Sequence, residues 1–203
     1  DEMMETLKLC VSCKACRHEC PTGVDMAKMK IEVLAARARK HGLTLRDRLV
    51  GYLPRYAGLA ARFAPLANWR NRSPLLRRLF ERFAGISAQR ALPAFRRDVF
   101  TSTETAGPES GREVVLFADT FNRAYERENL DAALRVLVEG GYRVHMPKPV
   151  DRARPLCCGR TFLSAGLVDQ ARAELDRLVA PYAPLAARGA PLIGLEPRCP
   201  LPL

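Results

Sequence analysis

The chain has 203 residues, 48% apolar and 27% charged, with a formal net charge of +11, an ordinary balance for a soluble protein of one medium domain or two small ones. No stretch approaches the roughly 18–20 consecutive apolar residues of a membrane span, and an acidic N-terminus that meets cysteines at once is not expected to act as a signal peptide. The basic residues are spread among Ala, Leu and Pro without interleaved stacking aromatics, so no nucleic acid is expected as partner; an acidic partner, or peripheral contact with an anionic membrane surface, suits the charge better.

Four of the seven cysteines open the chain, in the run Cys10-Val11-Ser12-Cys13-Lys14-Ala15-Cys16-Arg17-His18-Glu19-Cys20-Pro21. This is the C-x2-C-x2-C-x3-C-P spacing whose thiolates hold a 4Fe–4S cube in bacterial ferredoxins. Two-residue gaps let a tight turn bring three sulfurs round one cube, with backbone N–H groups directed at it. The longer gap and the proline swing the fourth cysteine away, toward a neighbouring cluster in two-cluster proteins. Zinc and plain buried thiols are the rivals, but a zinc site normally uses two C-x2-C pairs separated by a longer loop and gives the trailing Cys-Pro no role. Either all four thiols hold one cluster, or Cys10, Cys13 and Cys16 share theirs with a cysteine ahead of residue 1. The second arrangement makes the chain a piece of a longer polypeptide, which is the expectation. Thiols devoted to iron point to a reducing, cytoplasmic setting.

Beyond the run, Asp25 is placed to cap a helix from 26 to about 40 that Gly42 ends. Met26, Met29, Ile31, Val33 and Leu34 form its apolar face, and Lys28, Lys30, Arg37 and Arg39 face outward. Such a helix would cover a cluster, or be an ordinary amphipathic helix. Pro54, Pro65, Pro74 and Pro93 punctuate the next stretch into short helices at about 45–52, 55–63, 75–83 and 87–91. Trp69 is expected in or at the core, and 101–112 has the composition of a linker. A continuous apolar run at 113–118 predicts a strand buried on both faces. A helix follows from Asn129, its expected N-cap, to about 139; then come a strand at 142–146, helices at about 160–178 and 182–188, and a strand at 191–195.

Strand, helix, strand, helix, strand is the order of a parallel sheet. The expected fold is therefore α/β: a helix-rich N-terminal part with a ferredoxin-like segment (1–42), a helical connection (43–100), the linker, and a small parallel-sheet domain (113–203). Arg154-Pro155-Leu156-Cys157-Cys158-Gly159-Arg160 falls in the loop entering a helix, and Glu196-Pro197-Arg198-Cys199 just past the last strand. Both belong at strand carboxyl ends, where open α/β folds place their sites. Adjacent thiols followed by Gly suit a metal, a cluster edge or a redox pair; the alternative is two small buried residues.

The order of ferredoxin run, helical region and Cys-Cys-Gly domain resembles the iron–sulfur subunits of glycolate oxidase, anaerobic glycerol-3-phosphate dehydrogenase and heterodisulfide reductase. Residues 9–30 and 154–163 look closer to the large FAD-linked oxidases with a fused iron–sulfur half, which act on D-lactate, D-2-hydroxyglutarate and similar 2-hydroxy acids. That resemblance implies a flavin domain upstream that oxidises the hydroxy acid by hydride transfer to FAD. It further implies single-electron transfer through clusters to a quinone or another carrier. By it, Cys10, Cys13, Cys16 and Cys20 match the family's second cluster run, Cys157 and Cys158 its paired cysteines, and Cys199 a later one. The family pattern opens its Cys-Cys-Gly site with a cysteine where this chain has Asp119-Thr120-Phe121, closes it at Pro202, and carries a second copy that is absent here. The implied role is electron transfer, with no catalytic residue in the chain itself. The alternative is a heterodisulfide-reductase-type subunit in which Cys157 and Cys158 do the chemistry.

Overall fold

The computed structural model describes residues 2–101, 103–151, 153–196 and 199. Among these, four strands form one sheet, β1 (Thr105–Ala106), β2 (Arg112–Phe117), β3 (Tyr142–His145) and β4 (Leu192–Gly194), in the order β1-β3-β2-β4. β2 pairs in parallel with β3, Val114 opposite Val144, and with β4, Leu116 opposite Ile193. The α/β class expected from the sequence holds, but the sheet is mixed: β1, a two-residue strand within the stretch read as linker, runs antiparallel to β3.

The apolar run of β2 explains why this strand is central. Val114, Leu116 and Ala118 point to one face, where Phe100, Leu130, Val144 and Met146 complete a buried cluster under α10 (Arg127–Glu139). Phe117 points to the other, where it meets Leu156, Cys158, Leu178 and Cys199 under α12 (Val168–Ala187). Two helical layers thus sandwich the sheet.

The N-terminal half is helical throughout: α1 (Glu2–Leu7), α2 (Ala15–Glu19), α3 (Met26–His41), α4 (Leu45–Gly51), α5 (Leu53–Arg62), α6 (Ala64–Ala67), α7 (Trp69–Arg72) and α8 (Pro74–Ala84). Asp25 caps α3 as expected, accepting from the Lys28 N–H at 2.9 Å, and Gly42 ends it. Its innermost residues are Ala27 and Ala35 rather than the larger side chains, and Met29 is exposed. The helix lies too close to its neighbours for bulk: a Cβ on Gly166 would come within 2.7 Å of the Leu34 carbonyl oxygen.

Several expectations need correction. No helix forms at 87–91, because the Arg70 guanidinium takes the carbonyls of Ser87 and Arg90 at 2.8 and 3.1 Å. Asn68 and Asn71 likewise bind the backbone of Phe95 and Leu92, which turns Trp69 outward, 57% exposed, instead of into the core. The helix expected at 160–178 is broken, since Gly166 at φ +75° separates α11 (Arg160–Ser164) from α12. In turn α12 runs through Pro181 and Pro184; Leu178, Tyr182 and Leu185 recur at helical spacing on its inner side, and their packing outweighs the lost backbone bonds. α9 (Thr120–Ala124) was not anticipated, and Glu126 rather than Asn129 stands at the N-cap position of α10, without a side-chain capping bond. Asn129 lies inside α10, its amide donating to Asn122 and Glu126 at 2.9 Å each.

Candidate functional site

The N-terminal run forms a single open loop between α1 and α3, interrupted by α2. Cys13 is exposed, and Cys10, Cys16 and Cys20 are half-buried. Ser12 and Lys14 adopt left-handed backbone conformations, φ 58° and 61°, each at a cost of about 1–2 kcal/mol for a residue with a side chain. Left-handed residues that alternate with ordinary ones turn successive N–H groups to one side, the backbone pattern of an anion-binding nest. The Met26 N–H at the start of α3 donates to the Cys16 sulfur at 3.3 Å. The Thr22 hydroxyl, 3.1 Å from the Cys20 sulfur, and backbone N–H groups at Val24, Thr22 and Gly23 hold the Cys20 thiol below its ordinary pKa. Lys30, read as outward-facing, instead donates to the Cys10 carbonyl at 2.6 Å and fastens the loop to α3.

Among the described residues no group of three or more His, Cys, Asp or Glu is gathered closely enough to hold a metal ion. What the loop supplies is the donor set: four thiols on one short segment, with N–H groups at the Cys16 and Cys20 sulfurs. That chemistry fits a thiolate-ligated cluster.

The second set sits at the carboxyl ends of β2, β3 and β4. β2 lies between β3 and β4, so the chain crosses over from one side of β2 to the other and opens a crevice at the switch point of the sheet. Cys157, Cys158 and Cys199, distant in sequence, are all buried there. They surround, with Asp119, Thr120 and Thr161, a cavity of about 10 Å³, which has room for a single water-sized group. A cube does not fit it. Asp119, where the family pattern has cysteine, is 1% exposed. Its carboxylate is spent on capping α9, accepting from Phe121 N, Asn122 N and the Asn122 amide at 2.9, 3.1 and 2.7 Å.

The Cys157 and Cys158 thiols are held neutral. Contact with Cys158 and then burial push the Cys157 thiol far up. Cys158 is lowered by Cys157, but Cys199 and burial outweigh this and push it up to about 12. Gly159 is required where it stands: at φ +78° it starts α11, and a Cβ there would meet the Ala171 carbonyl oxygen at 2.6 Å.

One cysteine of each set lines a cleft of about 600 Å³, bounded by Cys10, Ser12 and Lys30 from the loop and α3 and by Thr161, Glu196 and Cys199 from the sheet domain. Thr161 is missing from the sequence-based site, yet its hydroxyl is buried without a partner and lines both cleft and cavity. Nothing in its spacing marks it. Asp119-Thr120, a capping pair directly after a buried strand, was a signal that could have been read. Pro202 and the Pro197-Arg198 pair lie outside the described residues.

The chain is similar to a dehydrogenase of a 2-hydroxy acid. It is 25% identical over 210 aligned residues to D-2-hydroxyglutarate dehydrogenase of Escherichia coli (strain K12), an alignment that covers 97% of the chain and 20% of that protein. The chain therefore spans about one fifth of the length of the curated relative it matches. No family model matches the chain, and no solved structure matches it. No helix among the described residues is long and apolar enough to cross a membrane.

Proposed function

We propose that this chain is an iron–sulfur electron-transfer segment of a flavin-dependent 2-hydroxy-acid dehydrogenase, working in the cytoplasm. The observation that carries this is the run Cys10, Cys13, Cys16 and Cys20 on one loop, with left-handed turns at Ser12 and Lys14 and N–H groups at the Cys16 and Cys20 sulfurs. The similarity to D-2-hydroxyglutarate dehydrogenase supports the hydroxy-acid part. A 4Fe–4S cluster on those four thiols would supply one-electron carriage.

The chain's own residues prepare that site. Thr22 and the N–H groups after Cys20 lower the pKa of its thiol, Met26 N orients Cys16, and Lys30 fixes the Cys10 end of the loop. The donor in this scheme is a flavin-bearing part outside the chain, and the acceptor a quinone or another carrier. Leu59, Leu66, Leu75 and Phe83, between 63% and 74% exposed on α5 to α8, are the apolar side chains against which the flavin-bearing part would dock. The fraction of the relative that the chain spans leaves room for such a part.

Thiol chemistry at Cys157 and Cys158 is the weaker alternative. A thiol attacks as the thiolate, and a group with its pKa pushed up to about 12 is protonated at neutral pH. These cysteines are better described as buried residues at the crevice, Cys158 packed with Phe117 and Leu178.

The test is anaerobic purification or reconstitution with iron and sulfide, followed by iron and sulfide analysis and EPR of the reduced chain. About four irons and four sulfides per chain, with a reducible brown chromophore, are expected. A colourless protein with stoichiometric zinc would end the proposal.

A further inference from the structure

At the carboxyl ends of β2 and β3 lies a cavity of about 310 Å³ that no cysteine lines, separated from the buried cysteines by Phe117 and Leu156. Leu116, Phe117, Met146 and Leu156 give it apolar walls, while Arg123, Lys148 and Arg154 bring positive charge to it; no acidic side chain lines it among the described residues. Two of these cations are already matched. Arg154 donates both terminal nitrogens to Glu174, and Lys148 pairs with Glu104 at 3.6 Å.

Arg123 is not matched. It donates from Nη1 to the Phe100 carbonyl at 3.1 Å and lies 6.0 Å over the Phe100 ring, but it makes no ion pair among the described residues, and its Nε is buried with no partner. The one carboxylate in its electrostatic reach, Asp119, has its oxygens committed to α9. Burial accordingly works against the charged form and lowers the Arg123 pKa from its ordinary value. A guanidinium taken out of water without an anion is expensive, and proteins pair such groups or leave them for a ligand. Arg is also the side chain that best matches a planar carboxylate, through paired N–H donors.

We propose that this cavity binds a small organic monocarboxylate with an apolar body, its carboxylate on the Arg123 guanidinium and its body against Leu116, Phe117, Met146 and Leu156. One uncompensated positive charge calls for one negative charge. A phosphate dianion would carry an excess charge and leave the apolar walls unused. The size is that of the smaller ligand pockets, and the place is the crevice at strand ends where open α/β sheets bind small molecules. The inference stands apart from the iron–sulfur proposal, since it uses none of the cysteines.

The experiment is isothermal titration of the purified chain with phenylacetate and hexanoate as probes and inorganic phosphate as control. Saturable binding of at least one probe is expected, weakened by about tenfold or more in Arg123→Gln through loss of a charge-assisted contact, with phosphate failing to displace it. No binding at millimolar concentration, equal affinity in Arg123→Gln, or tighter binding of phosphate would each overturn the proposal. Should Arg123→Gln not fold, amide chemical shifts of the unsubstituted chain decide: the probe is expected to move Ala118 and Met146, and shifts that spare both refute the site.

Discussion

Gly166 lies against the backbone of Leu34, so that a Cβ on it would stand 2.5 Å from the Leu34 carbonyl carbon and 2.6 Å from the Ala35 nitrogen. This contact joins α3, which carries the inner shoulder of the cysteine loop, to the turn between α11 and α12, which follows the Cys-Cys-Gly segment. Two costs fall on Gly166→Ala. The left-handed backbone at φ +75° costs about 1–2 kcal/mol for a residue with a side chain, and the clash with backbone that cannot rotate away adds to it. Gly189→Ala separates them, because Gly189 has φ +79° but open space around its Cβ position. In urea unfolding, Gly166→Ala should lose clearly more stability than Gly189→Ala. Equal losses would mean that the approach of α3 to this turn is not as close as described.

The two cysteine sets should respond differently to substitution. Cys13→Ser should abolish or badly damage iron binding, because a Ser oxygen is a harder and shorter ligand and cannot replace the thiolate in the turn. Cys158→Ser should leave the iron content and visible absorbance of the chain unchanged, since Cys158 packs with Phe117 and Leu178 on the other side of the cleft. Iron and sulfide analysis of both variants checks this. Loss of the chromophore in Cys158→Ser would show that the two sets act as one site.

How much of this was legible follows from the range of each interaction. The cysteine run, the Asp25 cap and the buried strand at Val114 to Phe117 are local patterns, and spacing alone exposes them. Long-range hydrogen bonds were not legible: nothing near 87–91 says that Arg70 will claim its carbonyls. Nor does the sequence reveal that packing of Leu178, Tyr182 and Leu185 will carry a helix through Pro181 and Pro184. At the site, the meeting of Cys157 and Cys158 with Cys199 was readable from the βαβ order, because that order brings strand ends together. The capture of the Asp119 carboxylate by α9 and the solitary charge of Arg123 depend on burial, which no short motif encodes.

Glu174 is the centre of the strongest ionic network. It is 1% exposed on the inner side of α12, receives both terminal nitrogens of Arg154 and Arg177 Nη1 at 3.1 Å, and has Arg55 Nε 4.0 Å away. Glu174→Gln leaves three guanidinium groups around a neutral side chain. Removing one partner of a buried ion pair costs about 3–5 kcal/mol, so the urea midpoint should fall steeply, with the m-value unchanged. A loss below about 1 kcal/mol, the scale of a surface pair, would show that water reaches this cluster.

Stability should fall on both sides of neutral pH, for different groups. The Arg177 side chain, then the Ala153 N–H, lowers Asp151 to about 2. Arg188 holds Glu113 below its ordinary value, and Arg96 does the same for Asp98 and Glu128. Each of these carboxyls has a lower pKa folded than unfolded, so the unfolded chain binds more protons in acid. Their stabilisation is complete above the ordinary carboxylate range and is lost as pH falls from about 4 toward 2. Cys158 acts in the opposite direction: its pKa is raised from 9.0 to about 12, so the folded chain keeps a proton that the unfolded chain gives up. That contribution is complete below pH 9.0 and is lost as pH rises through about 12. Urea midpoints across pH, measured in the Cys13→Ser background so that acid release of iron plays no part, should show both declines. Asp151→Asn should flatten the acid limb, and Cys158→Ser should make the alkaline one less steep. The buried Cys157 thiol, with the Tyr125 and Tyr182 hydroxyls that burial raises, carries what remains. An alkaline limb of unchanged steepness in Cys158→Ser would show that this thiol is not held neutral by its surroundings.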